Sequence, residues 1–411
     1  MLSTTTINQV RDLPIEQVID KYVTLKRSGG SYKACCPLHD EKSPSFYVTP
    51  SKNIFKCFGC GAGGDAIEFV MLKEALQFTD AVKSIASQHG IAIEETDVPG
   101  KTAEQISDEV LMQEWLQKAQ VKYRAALVER PSVINYLYSR NFTRSTIIEW
   151  QFGVVPTWQV ITPDLMTAGK FEIGEKAGLV KKQEGHQWDV MNHRITIPIH
   201  DTRGQLIGLA GRLHAELDIK KLADGPKYMN PPETPLYDKS KTLFGLHKAI
   251  KHFRAHGMAV LVEGYTDVIK MHQQGWNNTV ATCGTALTEG QAKQLKRFTD
   301  TVLILRDGDK AGRAAIKKDV PILLEQQFTV YVCELPQGED PDTLFDKPFE
   351  YIVSVLSNYA DGIEFLCNQR FADAAGNISQ VARSIDFTSD LLSKISSMVL
   401  RDQYIDLLSK R

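Results

Sequence analysis

The stretch CCPLHDEKSPSFYVTPSKNIFKCFGCGAGG, Cys35 to Gly64, constrains the fold more than any other part of the chain. Cys36-x-x-His39 and Cys57-x-x-Cys60 are two knuckles, each able to aim two soft ligands at one point. One tetrahedral Zn²⁺ held by three thiolates and an imidazole would join them. Joining both ends makes a hairpin of the segment between, with SFYVTP and NIFKCF as strands around SKN. Four protein ligands leave no open position, so the expected zinc is structural. Cys35 is the spare, since strand alternation sets it across from Cys36. A redox role for Cys57-x-x-Cys60 is disfavoured, because Gly-rich sequence rather than a helix follows it. Cys283, Cys333 and Cys367 stand alone in apolar surroundings. That argues against a disulfide framework and for a reducing cytoplasm.

Aromatic and basic residues interleave in and around this hairpin: Phe46, Tyr47, Phe55 and Phe58 with Lys33, Lys42, Lys52 and Lys56. Rings can stack on the bases of a single strand while lysines follow its phosphates, with Lys52 and Lys56 the candidate contacts. Some of the rings must fill the hairpin's own core, and Phe46 and Phe58 are expected there.

At 411 residues the chain is too long for one core. The N-terminus lacks an apolar h-region, so no signal peptide is expected. No apolar run approaches the roughly 18 residues of a membrane span. Residues 5–27 carry apolar positions at mostly helical spacing, and helices are expected again from Asp65 and Phe78. EETDVPGKTAEQISDE reads as a linker, with a helix from Val110 to Leu127 beyond it. From Arg194 the period changes: RITIPIHDTRGQLIGLAGR predicts two strands around a DTRG turn. Four later segments, from Gly257, Asn277, Asp300 and Phe328, each open on a short apolar strand, three of them running directly into a helix. This repetition predicts a mostly parallel α/β sheet, and the tail from about Tyr359 is helical in pattern.

The carboxylates concentrate where those strands end. VLVEGYTDV sets Glu263 at a strand end with Asp267 four residues on. VLILRDGDKAG does the same with Asp307 and Asp309, and GEDPDTL with Asp340 and Asp342. Ligands of open parallel sheets bind beyond the carboxyl ends of strands. Acidic clusters there make a hard oxygen site for Mg²⁺, suited to phosphoryl or nucleotidyl transfer. Net charge is −2, but residues 181–260 hold 13 Lys/Arg against 8 Asp/Glu, and residues 261–346 hold 9 against 13. A basic surface beside an acidic site suits a polyanion held next to a metal centre. Arg212, Lys227, Tyr228, Asn230, Lys239 and Lys241 supply the basic side, although Lys239 and Lys241 alone also read as solvated surface lysines.

Together these features resemble one family, the bacterial replicative primases of the DnaG type, over nearly the whole chain. CPLHDEKSPSFYVTPSKNIFKCFGCGAGGDAIEFVM resembles that family's zinc-binding domain. RITIPIHDTRGQLIGLAGR and PKYMNPPETPLYDKSKTLFGL resemble the basic signature of its RNA polymerase core. VEGYTDV, RDGDKAGR and GEDPDTL match the acidic motifs of its TOPRIM subdomain. The resemblance implies an α/β multidomain chain with five parts. These are a zinc ribbon with helices (1–95), a flexible linker (96–109), a basic α+β part of the core (110–256), a Rossmann-like TOPRIM subdomain (257–346) and a helical segment (347–411). The implied activity is synthesis of short RNA primers on single-stranded DNA from ribonucleoside triphosphates, with one structural Zn²⁺ and catalytic Mg²⁺ or Mn²⁺. The metal residues carry over onto Glu263, Asp307 and Asp309, with Asp267, Asp340 and Asp342 in support. Template and nucleotide contacts carry over onto Arg194, Arg212, Lys227, Tyr228, Asn230, Lys239 and Lys241. The family works in the cytoplasm at the replication fork, and the replicative helicase and a single-stranded-DNA-binding protein are its implied neighbours. No membrane is implied, and the chain is expected to be a monomer or to self-associate weakly.

Three departures stand out. Arg306 precedes DGD where the family commonly has an aromatic or small residue. Lys241 stands where an arginine is common, which loses bidentate phosphate geometry. The residues after GEDPDTL suffice for the helical part of the core and little else, so most or all of the helicase-binding domain is expected to be missing. Two other readings use the same acidic strand ends: a topoisomerase or TOPRIM nuclease, and a DNA-binding module without catalysis. A topoisomerase needs a tyrosine on a DNA-gate domain for which there is no room, and intact Glu263, Asp307 and Asp309 argue against an inert module.

Overall fold

The computed structural model describes residues 4–41, 43–74, 76, 78–93, 103–214, 225–284, 286–374 and 377–409. They fall into two units, Met1–Ser107 and Asp108–Arg411.

In the first unit, α1 (Thr4–Arg11) and α2 (Ile15–Ile19) precede β1 (Lys26–Ser28), β2 (Ser31–Ala34), β3 (Phe46–Thr49), β4 (Ile54–Cys57) and β5 (Gly63–Gly64). The strands form one antiparallel sheet in chain order, and α3 (Ala66–Glu74) and α4 (Phe78–Gln88) follow. Alternation along β3 and β4 turns Phe46, Val48, Phe55 and Cys57 inward. Phe46, Phe55 and Phe69 pack there with ring centroids 5.3 to 5.9 Å apart. Asn53 closes the β3–β4 turn at φ 53°, a left-handed backbone that asparagine tolerates. Its side chain accepts from the Ile15 N–H at 2.8 Å and donates to the carbonyls of Arg11 and Leu13, tying both helices to the hairpin. Phe46 is core, as expected. Phe58 is not: it is 73% exposed, on the outward side set by the alternation that turns Phe55 and Cys57 in.

The second unit begins within α5 (Ala103–Val128). This helix begins inside the stretch expected to be a linker, since TAEQISDE holds no Gly or Pro to stop it; residues 94–102 lie outside the described residues. α6 (Pro131–Ser139), α7 (Arg144–Glu149), β6 (Gly153–Val155), α8 (Thr162–Thr167), α9 (Phe171–Lys176) and the hairpin of β7 (Val180–Gln183) and β8 (His186–Asp189) follow. The two strands foreseen around DTRG are β9 (Arg194–His200) and β10 (Leu206–Leu213). With β11 (Tyr228–Met229) they make an antiparallel sheet of order β11-β10-β9-β6.

Strand and helix then alternate through α10 (Leu246–His256), β12 (Ala259–Val262), α11 (Tyr265–Gln273), β13 (Thr279–Ala281), α12 (Glu289–Lys296), β14 (Thr301–Arg306), α13 (Lys310–Glu325), β15 (Thr329–Glu334), α14 (Pro341–Leu344) and α15 (Phe349–Leu356). β13, β12, β14 and β15 lie parallel in that order, and β16 (Ala360–Asp361) adds to β15 antiparallel. The sheet therefore takes a short strand from the segment after residue 346, which was expected to be helical. β16 shields part of an otherwise open edge, and Ile363, Leu366 and Cys367 of α16 (Gly362–Asp373) join Val330 and Val332 in one core. α17 (Ile378–Ser393) and α18 (Met398–Ser409) form the helical tail. Among the described residues, no helix is long and apolar enough to cross a membrane.

Candidate functional site

In the first unit the hairpin brings the two knuckles together. One ligand atom from each of Cys36, His39, Cys57 and Cys60 lies within 4.8 Å of the others, while Cys35 is exposed. His39 Nδ1 is 3.9 Å from Cys57 Sγ, and its Nε2 is 3.5 Å from Glu41 Oε2. A carboxylate behind an imidazole fixes which nitrogen faces the metal. Glu41 also accepts the backbone N–H groups of Cys36 at 2.7 Å and Ser45 at 3.0 Å. Burial raises the Cys57 thiol pKa, but the Ser45 hydroxyl and the N–H groups of Cys60 and Gly59 outweigh it and bring it down to about 7. A Cβ at Gly59 would stand 2.7 Å from His39 Nε2, so the knuckle closes only around glycine. This donor set fits a structural Zn²⁺. Sequence reading missed Glu41, which carries no metal-motif signal of its own.

The second unit gathers its carboxylates around a cleft of about 370 Å³. Glu263 directly follows β12 and Asp307 directly follows β14. Glu263, Asp267, Asp307, Asp340 and Asp342 line the cleft with Arg140, Lys227, Tyr228, Asn230 and Cys283. A Cβ on Gly308 would stand 2.1 Å from the Pro336 carbonyl, and its N–H donates to Glu339 O at 2.8 Å, so this glycine lets the loops after β14 and β15 meet. Cys283 holds a left-handed φ of 61°, its N–H donating to Glu263 O and its carbonyl accepting from Asn230.

The six acids divide by partner. Asp267 accepts the Gly264 N–H at 2.8 Å, in the first turn of α11. Asp309 caps α13 through the Gly312 N–H at 2.7 Å, and Asp340 caps α14 through the Thr343 N–H at 2.7 Å. Asp342 pairs with Arg140 and with Lys270, the latter at 2.7 Å. Among the described residues, the Glu263 and Asp307 carboxylates are neither hydrogen-bonded nor ion-paired. Burial raises the pKa of Glu263, against the nearby Arg306. Burial and the charges of Glu263, Asp340 and Asp309 push Asp307 up to about 6. Burial pushes Asp267 up to about 7, with the Gly264 N–H opposing. Crowded carboxylates that resist ionisation fit a hard divalent cation. Among the described residues, these oxygens do not converge on one point as the zinc quartet does.

The basic residues also divide. Lys227, Tyr228 and Asn230 line the cleft. Arg194 is buried and donates to the Pro226 carbonyl at 3.0 Å, holding the segment that carries Lys227 and Tyr228. Arg212 is buried too, with its Nε on the Tyr228 hydroxyl at 3.1 Å and its guanidinium over the rings of Tyr136 and Tyr228. Neither guanidinium presents itself to solvent as a phosphate contact. Lys239 is half-buried, whereas Lys241 is exposed and pairs with Asp238 at 2.7 Å. Lys52 and Lys56 are exposed on the zinc ribbon, where Lys56 donates to the Gly61 carbonyl at 2.7 Å. Arg140, also missed in the sequence, comes from the C-terminal end of α6, far from any acidic motif.

Three family models match the chain: a CHC2 zinc finger over residues 2–101, the N-terminal domain of the DNA primase catalytic core over 122–250, and a Toprim-like domain over 260–345. The crystal structure of the Aquifex aeolicus primase zinc-binding and RNA polymerase domains matches with a TM-score of 0.65 and 32% identity, covering 98% of this chain and 96% of that one. The chain belongs to the DnaG-type DNA primase family. Within it, the Aquifex aeolicus DNA primase is 37% identical over 82% of this chain, and the match spans 65% of that relative's length. A DnaG primase catalytic domain bound to single-stranded DNA matches with a TM-score of 0.67 and 27% identity, covering 74% of this chain and 96% of that one.

Proposed function

We propose that this primase-family chain makes short RNA primers on single-stranded DNA from ribonucleoside triphosphates. The observation that carries the reading is the pair of unpartnered carboxylates, Glu263 and Asp307, at the ends of adjacent parallel strands in a cleft that also holds Lys227 and Arg140. A divalent cation of the Mg²⁺ or Mn²⁺ class, held by Glu263 and Asp307 with Asp309 alongside, would neutralise triphosphate charge and activate the attacking 3′-hydroxyl. Lys227 supplies positive charge for phosphates at the cleft wall, and the Tyr228 ring, set by Arg212, gives a flat face for a base or sugar. Asp342, neutralised by Lys270 and Arg140, fixes the loop after β15 rather than offering a free ligand. Asp340 and Asp309 each hold a helix N-terminus, Asp340 within the cleft lining. In the zinc ribbon, exposed Phe58 sits edge-on to Tyr47 with centroids 5.5 Å apart, and Lys33 lies over Tyr47 at 5.2 Å. This is a platform on which template bases can stack.

The test is incubation of the zinc-loaded chain with Mg²⁺ or Mn²⁺, single-stranded templates and labelled ribonucleotides. Short RNA is expected. Nicking or relaxation of a plasmid without ribonucleotides, and no RNA, would contradict the reading.

A further inference from the structure

Arg306 ends β14 immediately before Asp307, a surprising place for a guanidinium. The parallel register of β12 and β14 pairs Leu261 with Ile304, and continuing it by two residues sets Glu263 beside Arg306. Paired residues of neighbouring strands share a face. Ala259, Leu261, Val302 and Ile304, on that face, bury in the same core as Ile316, Val320 and Leu323 of α13. On its other side Arg306 pairs in register with Glu334. Arg306 therefore has one carboxylate on β15, one directly past the end of β12, and a third, Asp319, on the covering helix.

Asp319 takes it. Asp319 Oδ2 accepts from Arg306 Nε at 3.0 Å and from Nη2 at 2.6 Å, and both side chains are essentially inaccessible, at 1% and 0% exposure. Asp319 Oδ1 also accepts the Leu287 N–H at 3.3 Å, so the acid is anchored from two directions. Glu334 is engaged elsewhere, by Arg313 at 2.7 Å. Among the described residues, Glu263 is left without an ion pair beside a buried cation. A guanidinium with no partner of its own would close on Glu263 or Asp307, since a buried charge left unpaired is strongly disfavoured.

We propose that Asp319 is a positioning residue that holds Arg306 away from Glu263 and Asp307 and so keeps both carboxylates open to a divalent cation. This rests on the reading that Glu263 and Asp307 hold that cation. Arg306 is then tolerated next to the site only together with Asp319.

Asp319→Asn removes the charge and keeps an acceptor for Leu287. In the zinc-loaded full chain, the Mg²⁺ concentration for half-maximal primer synthesis should rise at least about fivefold. Mn²⁺ binding, followed by the free-ion paramagnetic resonance signal without nucleotide or template, should weaken by a similar factor. Adding Arg306→Met should return both to near wild type, because the competitor is gone. An unchanged Asp319→Asn, or a loss that Arg306→Met does not rescue, would overturn the proposal. If Asp319→Asn does not fold, the volume-filling pair Arg306→Met with Asp319→Leu decides: wild-type Mn²⁺ binding supports the proposal and weakened binding overturns it. Glu263→Gln separates the two levels. Mn²⁺ binding unaffected by that change means the cation reading itself has failed, and the role of Asp319 falls with it.

Discussion

Glu263 and Asp307 are set apart by what their neighbours do not offer. Four of the six strand-end acids are used by helix caps or ion pairs, and among the described residues these two are not. Asp307, held up to about 6 by burial and by the surrounding acids, binds its proton more tightly folded than unfolded. The unfolded chain releases that proton near the ordinary aspartate value, so between about pH 4 and pH 6 the metal-free fold loses stability as pH rises. Asp307→Asn removes this penalty. Without divalent cation it should melt above wild type at pH 8, by on the order of 1 kcal/mol given solvent screening, and equal to wild type at pH 4. Calorimetry at the two values checks this, and the same variant should lose primer synthesis by about 100-fold or more. Strand-end acids were legible because a short apolar run followed by an acid and a glycine is a local pattern. Roles were less so: Arg194 and Arg212 look like phosphate ligands in sequence, but their guanidiniums are taken up by Pro226 and Tyr228. Arg140 was invisible, because its approach to Asp342 spans two segments with no sequence relation.

At the scale of elements, the zinc hairpin was the most legible piece, since ligand spacing fixes both strands and the turn at once. Its energy is metal energy, so Cys57→Ser should lose zinc and melt the sheet of the first unit while the unfolding transition of the second unit persists. Circular dichroism with zinc quantitation reads this directly, and one zinc per chain in the variant would refute the ligand set. Glu41→Ala should leave a folded hairpin with zinc affinity lowered about 10- to 100-fold, measurable by chelator competition. Phe58→Ala should not lower the melting temperature, given 73% exposure, but should weaken single-strand binding by about 1–3 kcal/mol in a fluorescence anisotropy titration. Burial of Phe58 was misjudged because its aromatic type outweighed its place in the pattern: with Phe55 and Cys57 inward and Ile54 and Lys56 outward, alternation sets the next residue outward. The two-residue strand β16 was equally hidden, as two residues are too few to show a period and its pairing partner β15 lies about 30 residues earlier in the chain.

For the whole molecule, the chain combines a metal-stapled ribbon bearing exposed rings and lysines with a core whose parallel sheet ends in an acidic cleft beside basic side chains. The family assignment and the cleft lead to one central claim, that nucleotidyl transfer depends on Glu263 and Asp307 while template binding does not. The most direct measurement compares wild type, Glu263→Gln and Asp307→Ala in two readouts on the same single-stranded template: RNA synthesis with Mg²⁺ or Mn²⁺, and binding by anisotropy. The account predicts short RNA from wild type, loss of synthesis in both variants, and template affinity within about twofold of wild type in all three, since phosphate and base contacts carry the binding. RNA synthesis that survives in either variant, or template binding that disappears together with synthesis, would contradict it.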